Sequence, residues 1–125
     1  MAPYLIPRTQ KVTLDSNGNG TVTFEIDNTN KRWVLDSVHV QVTDANGNPL
    51  PTSTPVPAVN CYLNSVTPNG FRGGTLSGNL DTATGRAILY EGDTLYVVWT
   101  GGAPGTVGNV TIDGTYDGAG SKIDD

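Results

Sequence analysis

Cysteine and histidine each occur once in these 125 residues. A single Cys61 excludes an internal disulfide framework and a cysteine-rich metal site, and a single His39 narrows the choice of general base. Charge is scarce too: Asp, Glu, Lys and Arg make up 15% of the chain, against about a quarter in ordinary domains. Seven basic residues face twelve acidic ones, a net charge of −5, and no Lys/Arg cluster occurs. Phosphate backbones and anionic membranes are held by basic patches, so neither nucleic acid nor a membrane surface is an expected partner. No apolar run approaches the roughly 18 residues of a membrane-spanning helix. The start, Met1-Ala2-Pro3-Tyr4-Leu5-Ile6-Pro7-Arg8, lacks the basic opening and long apolar stretch of a signal peptide. Helix formers are thin, which disfavours a bundle or coiled coil. What the chain has instead is 16 Gly and 8 Pro, with Thr, Asn and Val throughout.

The helical period is absent, while the two-residue period recurs. Val22, Phe24 and Ile26 share a face, as do Val34, Val38, Val40 and Val42, with Trp33, Leu35, His39 and Gln41 opposite. Leu95, Val97 and Trp99 oppose Tyr96 and Val98, and Val110, Ile112, Gly114 and Tyr116 form a last stripe. Fainter strands are expected at residues 9–14, 58–63, 75–80 and 86–90. Asn-Gly pairs at residues 17–18, 19–20, 46–47 and 69–70 tolerate the positive φ of tight hairpin turns. Strands so close together cannot be joined by parallel crossovers. The expected fold is all-β: a single antiparallel two-sheet sandwich, jelly-roll or Ig-like, with about eight strands. Residues 8–117 form it, between an apolar N-terminal arm at 1–7 and an acidic, Gly-rich tail at 118–125. The stretch from Asn48 to Pro57 carries Pro49, Pro51, Pro55 and Pro57, and reads as an extended crossing between sheets or along an edge.

Chemistry is harder to find. Asp15-Ser16-Asn17-Gly18-Asn19-Gly20 matches the front half of a calcium loop, with Asp15, Asn17 and Asn19 as candidate ligands. The bidentate Glu should stand where Ile26 does, and the same residues suit a turn for conformational reasons alone. Asp44-Ala45-Asn46-Gly47-Asn48 is a weaker echo. No metal or cofactor is expected. His39 shares a strand face with Ser37 and Gln41, yet nothing in the spacing singles out a nucleophile. Glu91 with Asp93, or Asp81, could supply paired carboxylates, but Glu91-Gly92-Asp93 reads as an acidic turn. Asn109-Val110-Thr111 fits a glycosylation sequon that also reads as plain strand. Cys61, between Val59 and Leu63, reads as a buried, inert thiol. Trp99 reads as a core anchor. An aromatic platform for sugar rings is the alternative for Trp99, Trp33 and Phe71. Tyr4, Leu5 and Ile6 are either a short edge strand on the sandwich or an arm that packs on a neighbour.

Residues 80–85, Leu-Asp-Thr-Ala-Thr-Gly, and 90–105, from Tyr90-Glu91-Gly92-Asp93 through Trp99-Thr100-Gly101-Gly102 to Pro104-Gly105, resemble small all-β virion proteins of tailed bacteriophages. These serve as head decoration, minor capsid or minor tail proteins. The resemblance covers about half the chain and rests on strand and turn residues, with no functional residues to carry across. It implies a non-enzymatic structural role, most simply a capsid decoration (cement) subunit in the phage particle, made in the host cytoplasm without a signal peptide. A virion-associated minor tail or carbohydrate-binding module is the alternative, and a small hydrolase trails both. The implied partners are the major capsid protein or other virion proteins, together with further copies of the chain. A trimer is the expected closed form. The contact elements would be the arm (Tyr4, Leu5, Ile6) and the loop carrying Pro49, Pro51, Pro55 and Pro57.

Overall fold

A computed structural model describes residues 4–5, 8–25, 32–51, 53–78, 81–90 and 92–117. Among the described residues it is all-β, with nine strands: β1 (Tyr4–Leu5), β2 (Arg8–Thr13), β3 (Gly20–Glu25), β4 (Arg32–Thr43), β5 (Ala58–Leu63), β6 (Phe71–Ser77), β7 (Asp81–Tyr90), β8 (Thr94–Thr100) and β9 (Val107–Asp117). One sheet runs β7-β4-β9, with β1 and β2 in succession along the far side of β9, and the other runs β3-β8-β5-β6. Every pairing is antiparallel.

The pairing order settles the choice between jelly roll and Ig-like sandwich. Strand β2 pairs with β9, β3 with β8, β4 with β7 and β5 with β6. The chain is thus one long nested hairpin, folded over so that successive pairs alternate between sheets. That is a jelly roll, an eight-strand double Greek key, with β1 as a two-residue leader.

The Asn-Gly pairs do more than one job. Asn46-Gly47 closes a tight hairpin, with Thr43 bridged to Pro49, and Asn69-Gly70 lies between the paired strands β5 and β6 of one sheet, whereas the pairs at 17–20 carry the chain between sheets. The 14–19 corner leads from β2 to β3, and the 101–106 corner returns from β8 to β9 beside it. The two are laced by backbone bonds, Leu14 N–H to Thr106 C=O (2.8 Å), Gly105 N–H to Leu14 C=O (3.0 Å) and Gly102 N–H to Gly18 C=O (2.9 Å). At the next fold of the hairpin, the proline-rich stretch crosses from β4 to β5. Gly78, just beyond β6, sits against its end: Gly78 N–H donates to Pro57 C=O (2.8 Å) and Val42 N–H to Gly78 C=O (2.6 Å).

Between the sheets, alternate residues meet as the two-residue period predicts. Val22 and Phe24 of β3, Val59 and Cys61 of β5, Leu95, Val97 and Trp99 of β8, and Val110 and Ile112 of β9 are all buried. Strand β4 departs from a single stripe. A β-bulge between Leu35 and Ser37 inserts Asp36 without a partner, since Leu35 pairs with Gly114 and Ser37 with Asp113. A bulge shifts the alternation by one residue. Leu35 therefore joins Val38, Val40 and Val42 in the core cluster, which excludes Val34 although Val34 is buried. The expected grouping of Leu35 with the opposite face is corrected by this insertion. Two fainter strands are also longer than expected, reaching back to Phe71 and Asp81, because their Gly- and Thr-rich starts pair along β5 and β4.

Candidate functional site

The two Asp-x-Asn-Gly-Asn segments fold identically. In the first, Asp15 Oδ1 accepts the Asn17 N–H (2.8 Å) and the Asn19 N–H (3.0 Å), Gly18 N–H donates to Asp15 C=O, and Asp15 N–H donates to Asn19 C=O. In the second, Asp44 Oδ1 accepts Asn46 N–H (2.8 Å) and Asn48 N–H (2.9 Å), with the matching Gly47 and Asp44 backbone bonds. Each glycine has positive φ, 76° and 86°. This is a type I turn followed by a left-handed residue, stapled by its own Asp. These hydrogen bonds hold the Asp44 carboxyl below its usual range, the Asn48 N–H contributing most. Asn19 Oδ1 is taken as well, by Gly101 N–H at 3.2 Å. The geometry of Asp15, Asn17 and Asn19 is thus accounted for by the turn. Among the described residues no three His, Cys, Asp or Glu side chains gather where a metal could be held.

A Ser–His–Asp cluster does form, which spacing alone did not reveal. On the outer face of the β7-β4-β9 sheet, His39 Nε2 lies 2.6 Å from Asp113 Oδ2 and 3.0 Å from Ser37 Oγ. Ser37 Oγ donates to the same carboxylate oxygen at 3.4 Å. Its arrangement does not suit nucleophilic catalysis. Both partners meet one ring nitrogen, and a nitrogen 2.6 Å from a carboxylate presents its N–H there, leaving no lone pair to take the serine proton. Strand β4 is also laddered on both sides here, to Thr84 and Asp113 at Ser37 and to Thr82 and Thr111 at His39. The cluster ties β4 to β9.

The other candidate polar residues are likewise engaged in the fold. Asp93 is buried and accepts from Asn64 Nδ2 (3.1 Å), while Asn64 Oδ1 accepts Thr94 N–H (2.8 Å). Asn64 holds this clamp in a left-handed conformation, φ 66°, which Asn tolerates better than most residues. Glu91 and the side chain of Asp81 lie outside the described residues. Asn109 Nδ2 is spent on Gln41 C=O (3.1 Å) and Thr43 Oγ1 (3.0 Å).

Cys61 is buried, and burial pushes its thiol up from 9.0 to about 11. The neutral thiol is the form the fold favours. Its contribution is therefore complete below pH 9 and is lost as pH climbs through about 11. Two units correspond to about 3 kcal/mol. In urea titrations between pH 8 and pH 11, the wild type should lose about 2 kcal/mol more stability than Cys61→Ala, most of the full effect; parallel losses would contradict it.

Of the three aromatic residues proposed for sugar stacking, Trp99 is ruled out: it is 0% exposed, wedged in the core. The Trp33 side chain lies outside the described residues. Phe71 remains, 42% exposed and edge-to-face with Tyr62 at 5.7 Å. These two rings, with Val66, Thr67 and Pro68, line a shallow cleft of about 390 Å³. A second cleft of about 400 Å³ lies at the other end of the same strand pair, lined by Val56, Pro57, Ala58, Leu76 and Ser77. Pro57 is itself buried, its carbonyl bonded to Gly78, which corrects its assignment as a contact residue. Pro49, Pro51 and Pro55 are exposed. The backbone of Tyr4 and Leu5 pairs with Tyr116 and Thr115, so these two residues extend the β9 edge, and Ile6 lies outside the described residues.

Val56, Val66 and Phe71 are the large apolar side chains exposed among the described residues, and all three flank β5 and β6. The sequence carries a signal for this surface. From residue 45 to residue 80 it contains a single charged side chain, Arg72. Fold and site together define a jelly-roll domain in which Asp15, Asp44, Asn64, Asp93, Asn109 and the His39–Asp113 pair hold turns and strands, and in which the exposed apolar side chains stand at the two ends of the β5–β6 pair. No family model, curated protein or solved structure matches the chain.

Proposed function

We propose that this protein is a non-enzymatic structural subunit of a tailed-phage particle, a capsid decoration protein that cements the head. The observation that carries this reading is the division of labour among its side chains. Asp15, Asp44, Asn64, Asp93 and Asn109 hold corners and strands, and His39 is bound to Asp113 in a form unable to activate Ser37. What is left for a partner is the apolar surface at the two ends of the β5–β6 pair. Such a block acts by adhesion: contact area across a joint between capsomers adds free energy that exists only in the assembled shell. Many copies raise the effective affinity of individually weak contacts. The resemblance of residues 80–85 and 90–105 to phage virion proteins points the same way. Particles assembled with and without the chain should differ under heat or osmotic shock, those lacking it releasing their contents first. Equal robustness would overturn the cementing role.

A further inference from the structure

Four Asn-Gly pairs stand in this chain, at residues 17–18, 19–20, 46–47 and 69–70, and the fold treats them differently. The pair matters chemically because a glycine nitrogen, with no Cβ beside it, can reach the side-chain carbonyl carbon of the preceding asparagine. Asparagine is for that reason among the heat-labile residues. The attack requires the peptide plane between the two residues to swing out of its native orientation, so local opening decides which pair reacts. Gly18 is buried, donates its N–H to Asp15 C=O (2.9 Å) and accepts Gly102 N–H (2.9 Å). Gly20 opens β3 opposite Trp99, while Asn19 is held at its amide oxygen by Gly101 N–H (3.2 Å) and at its C=O by Asp15 N–H (2.9 Å). Gly70 is buried, donates to Thr67 C=O (2.9 Å) and is boxed in by the Leu63 and Ser65 carbonyls. Asn46-Gly47 is the exception. Both residues are exposed, a Cβ at Gly47 would meet nothing within 4 Å, and the Gly47 N–H is held by one bond, to Asp44 C=O at 3.1 Å.

We propose that Asn46 is a self-modification site: in the folded chain it converts to aspartate and isoaspartate, while Asn17, Asn19 and Asn69 are protected. The reaction needs only water. Hydroxide takes the proton of the Gly47 N–H, and the nitrogen's electron pair attacks Asn46 Cγ. The N–Cγ bond forms, the Cγ–Nδ2 bond breaks, and Nδ2 takes a proton from water and leaves as ammonia, giving a five-membered imide. Water then opens the imide at one of its two carbonyls. Cleavage of the N–Cγ bond leaves an ordinary aspartate at position 46. Cleavage between the nitrogen and the backbone carbonyl carbon leaves isoaspartate, through which the main chain runs one carbon longer. Either product adds a negative charge to the net −5 and places a carboxylate in a stretch, residues 45–80, that has none. The longer backbone acts on the corner itself. Asp44 Oδ1 accepts both Asn46 N–H (2.8 Å) and Asn48 N–H (2.9 Å), and Thr43 bridges to Pro49 just beyond. That spacing fits an unlengthened chain, so isoaspartate releases at least one of these bonds and loosens the passage from β4 into the proline-rich crossing. The 14–19 turn carries the same internal bonds, yet it keeps its asparagines because the 101–106 corner is laced over it. The reactivity of Asn46 is independent of any place in a phage particle.

The test holds the purified full chain warm at mildly alkaline pH. Peptide mapping by mass spectrometry follows the amide-to-acid mass gain at each asparagine, and an isoaspartyl methyltransferase reports the isomerised share. Asn46 should react at least about tenfold faster than Asn17, Asn19 or Asn69, since each of those must give up a further hydrogen bond or leave a buried site first. The same chain in urea is the control: with the fold gone, the four pairs should react at similar rates. Gly47→Ala, which the open surroundings accept at small cost, should slow the reaction at Asn46 by about tenfold or more, because the new Cβ hinders the attacking nitrogen. The isoaspartate form, separated by ion exchange, should unfold at lower urea than the unreacted chain. Equal rates at the four pairs in the folded chain, or an Asn46 that reacts in urea but not in the native protein, would overturn the proposal. An unfolding midpoint unchanged by isoaspartate would overturn the loosening of the corner.

Discussion

Gly18→Ala is expected to cost the fold about 3 kcal/mol or more, whereas Gly47→Ala should cost only about 1 kcal/mol. The pair is a controlled comparison. Both glycines stand at the same place in the same Asp-x-Asn-Gly-Asn turn, both have positive φ, and each donates its N–H to the C=O of its aspartate. The left-handed penalty is therefore common to the two. Packing separates them. A Cβ at Gly18 would lie 1.9 Å from the Gly102 carbonyl oxygen, so the 14–19 and 101–106 corners would have to part and surrender the Gly102–Gly18 bond. At Gly47 an added Cβ meets nothing within 4 Å. Urea unfolding of the two variants reads the difference directly. Equal losses would mean that the two corners are not laced together as described.

Trp99→Ala is expected to be the most damaging single truncation, about 3–5 kcal/mol, or a fall in Tm of about 10–20 °C. For a domain whose whole stability is about 5–15 kcal/mol, that leaves a marginal fold. Trp99 is fully buried and its ring lies against Gly108, where an added Cβ would come within 2.6 Å of the indole. The absence of a side chain at residue 108 is thus what admits an indole between the sheets. The site carries one internal cost: Nε1 is buried without a hydrogen-bond partner. An orphaned donor costs about 1–3 kcal/mol. Trp99→Phe removes it along with part of the ring, so its net loss should stay below about 2 kcal/mol. Calorimetry of the two variants checks both values. A Phe variant as unstable as the Ala variant would show that the indole edge is satisfied after all.

Much of this architecture was legible in the residues, and the gaps have physical causes. Strands β3, β8 and β9 show clean alternation because each has one face in the core and no interruption. The phase change in β4 was hidden. Asp36 is extra only relative to Gly114 and Asp113, which lie far along the chain, and no local pattern records that. Parity likewise tells which face a residue takes, never which strand lies beside it, so jelly roll and Ig-like sandwich stayed indistinguishable until the pairing order was known. Of the four Asn-Gly pairs, Gly18 and Gly47 take the expected positive φ, while Gly20 opens β3 and Gly70 ends a 3-10 turn without it; that the 14–19 corner passes between sheets depends on the neighbouring 101–106 corner. Among site candidates, His39 and Asp113 are separated by 74 positions, and Ser37 joins them only because the bulge beside it sets the register of β4. The run from residue 45 to residue 80, in which Arg72 is the single charge, was the one local trace of this surface, and its meaning required seeing Val56 at one end of the β5–β6 pair and Val66 and Phe71 at the other.

The central claim is that this protein works through the apolar surface at the ends of its β5–β6 pair and not through its polar cluster. The most direct measurement is the copy number of the chain per particle for two variants assembled side by side, Ser37→Ala/His39→Ala and Val56→Asp/Val66→Asp. Full occupancy is expected for the first and loss of the second, with both chains folded. Loss of the polar variant with retention of the charged-edge variant would contradict it.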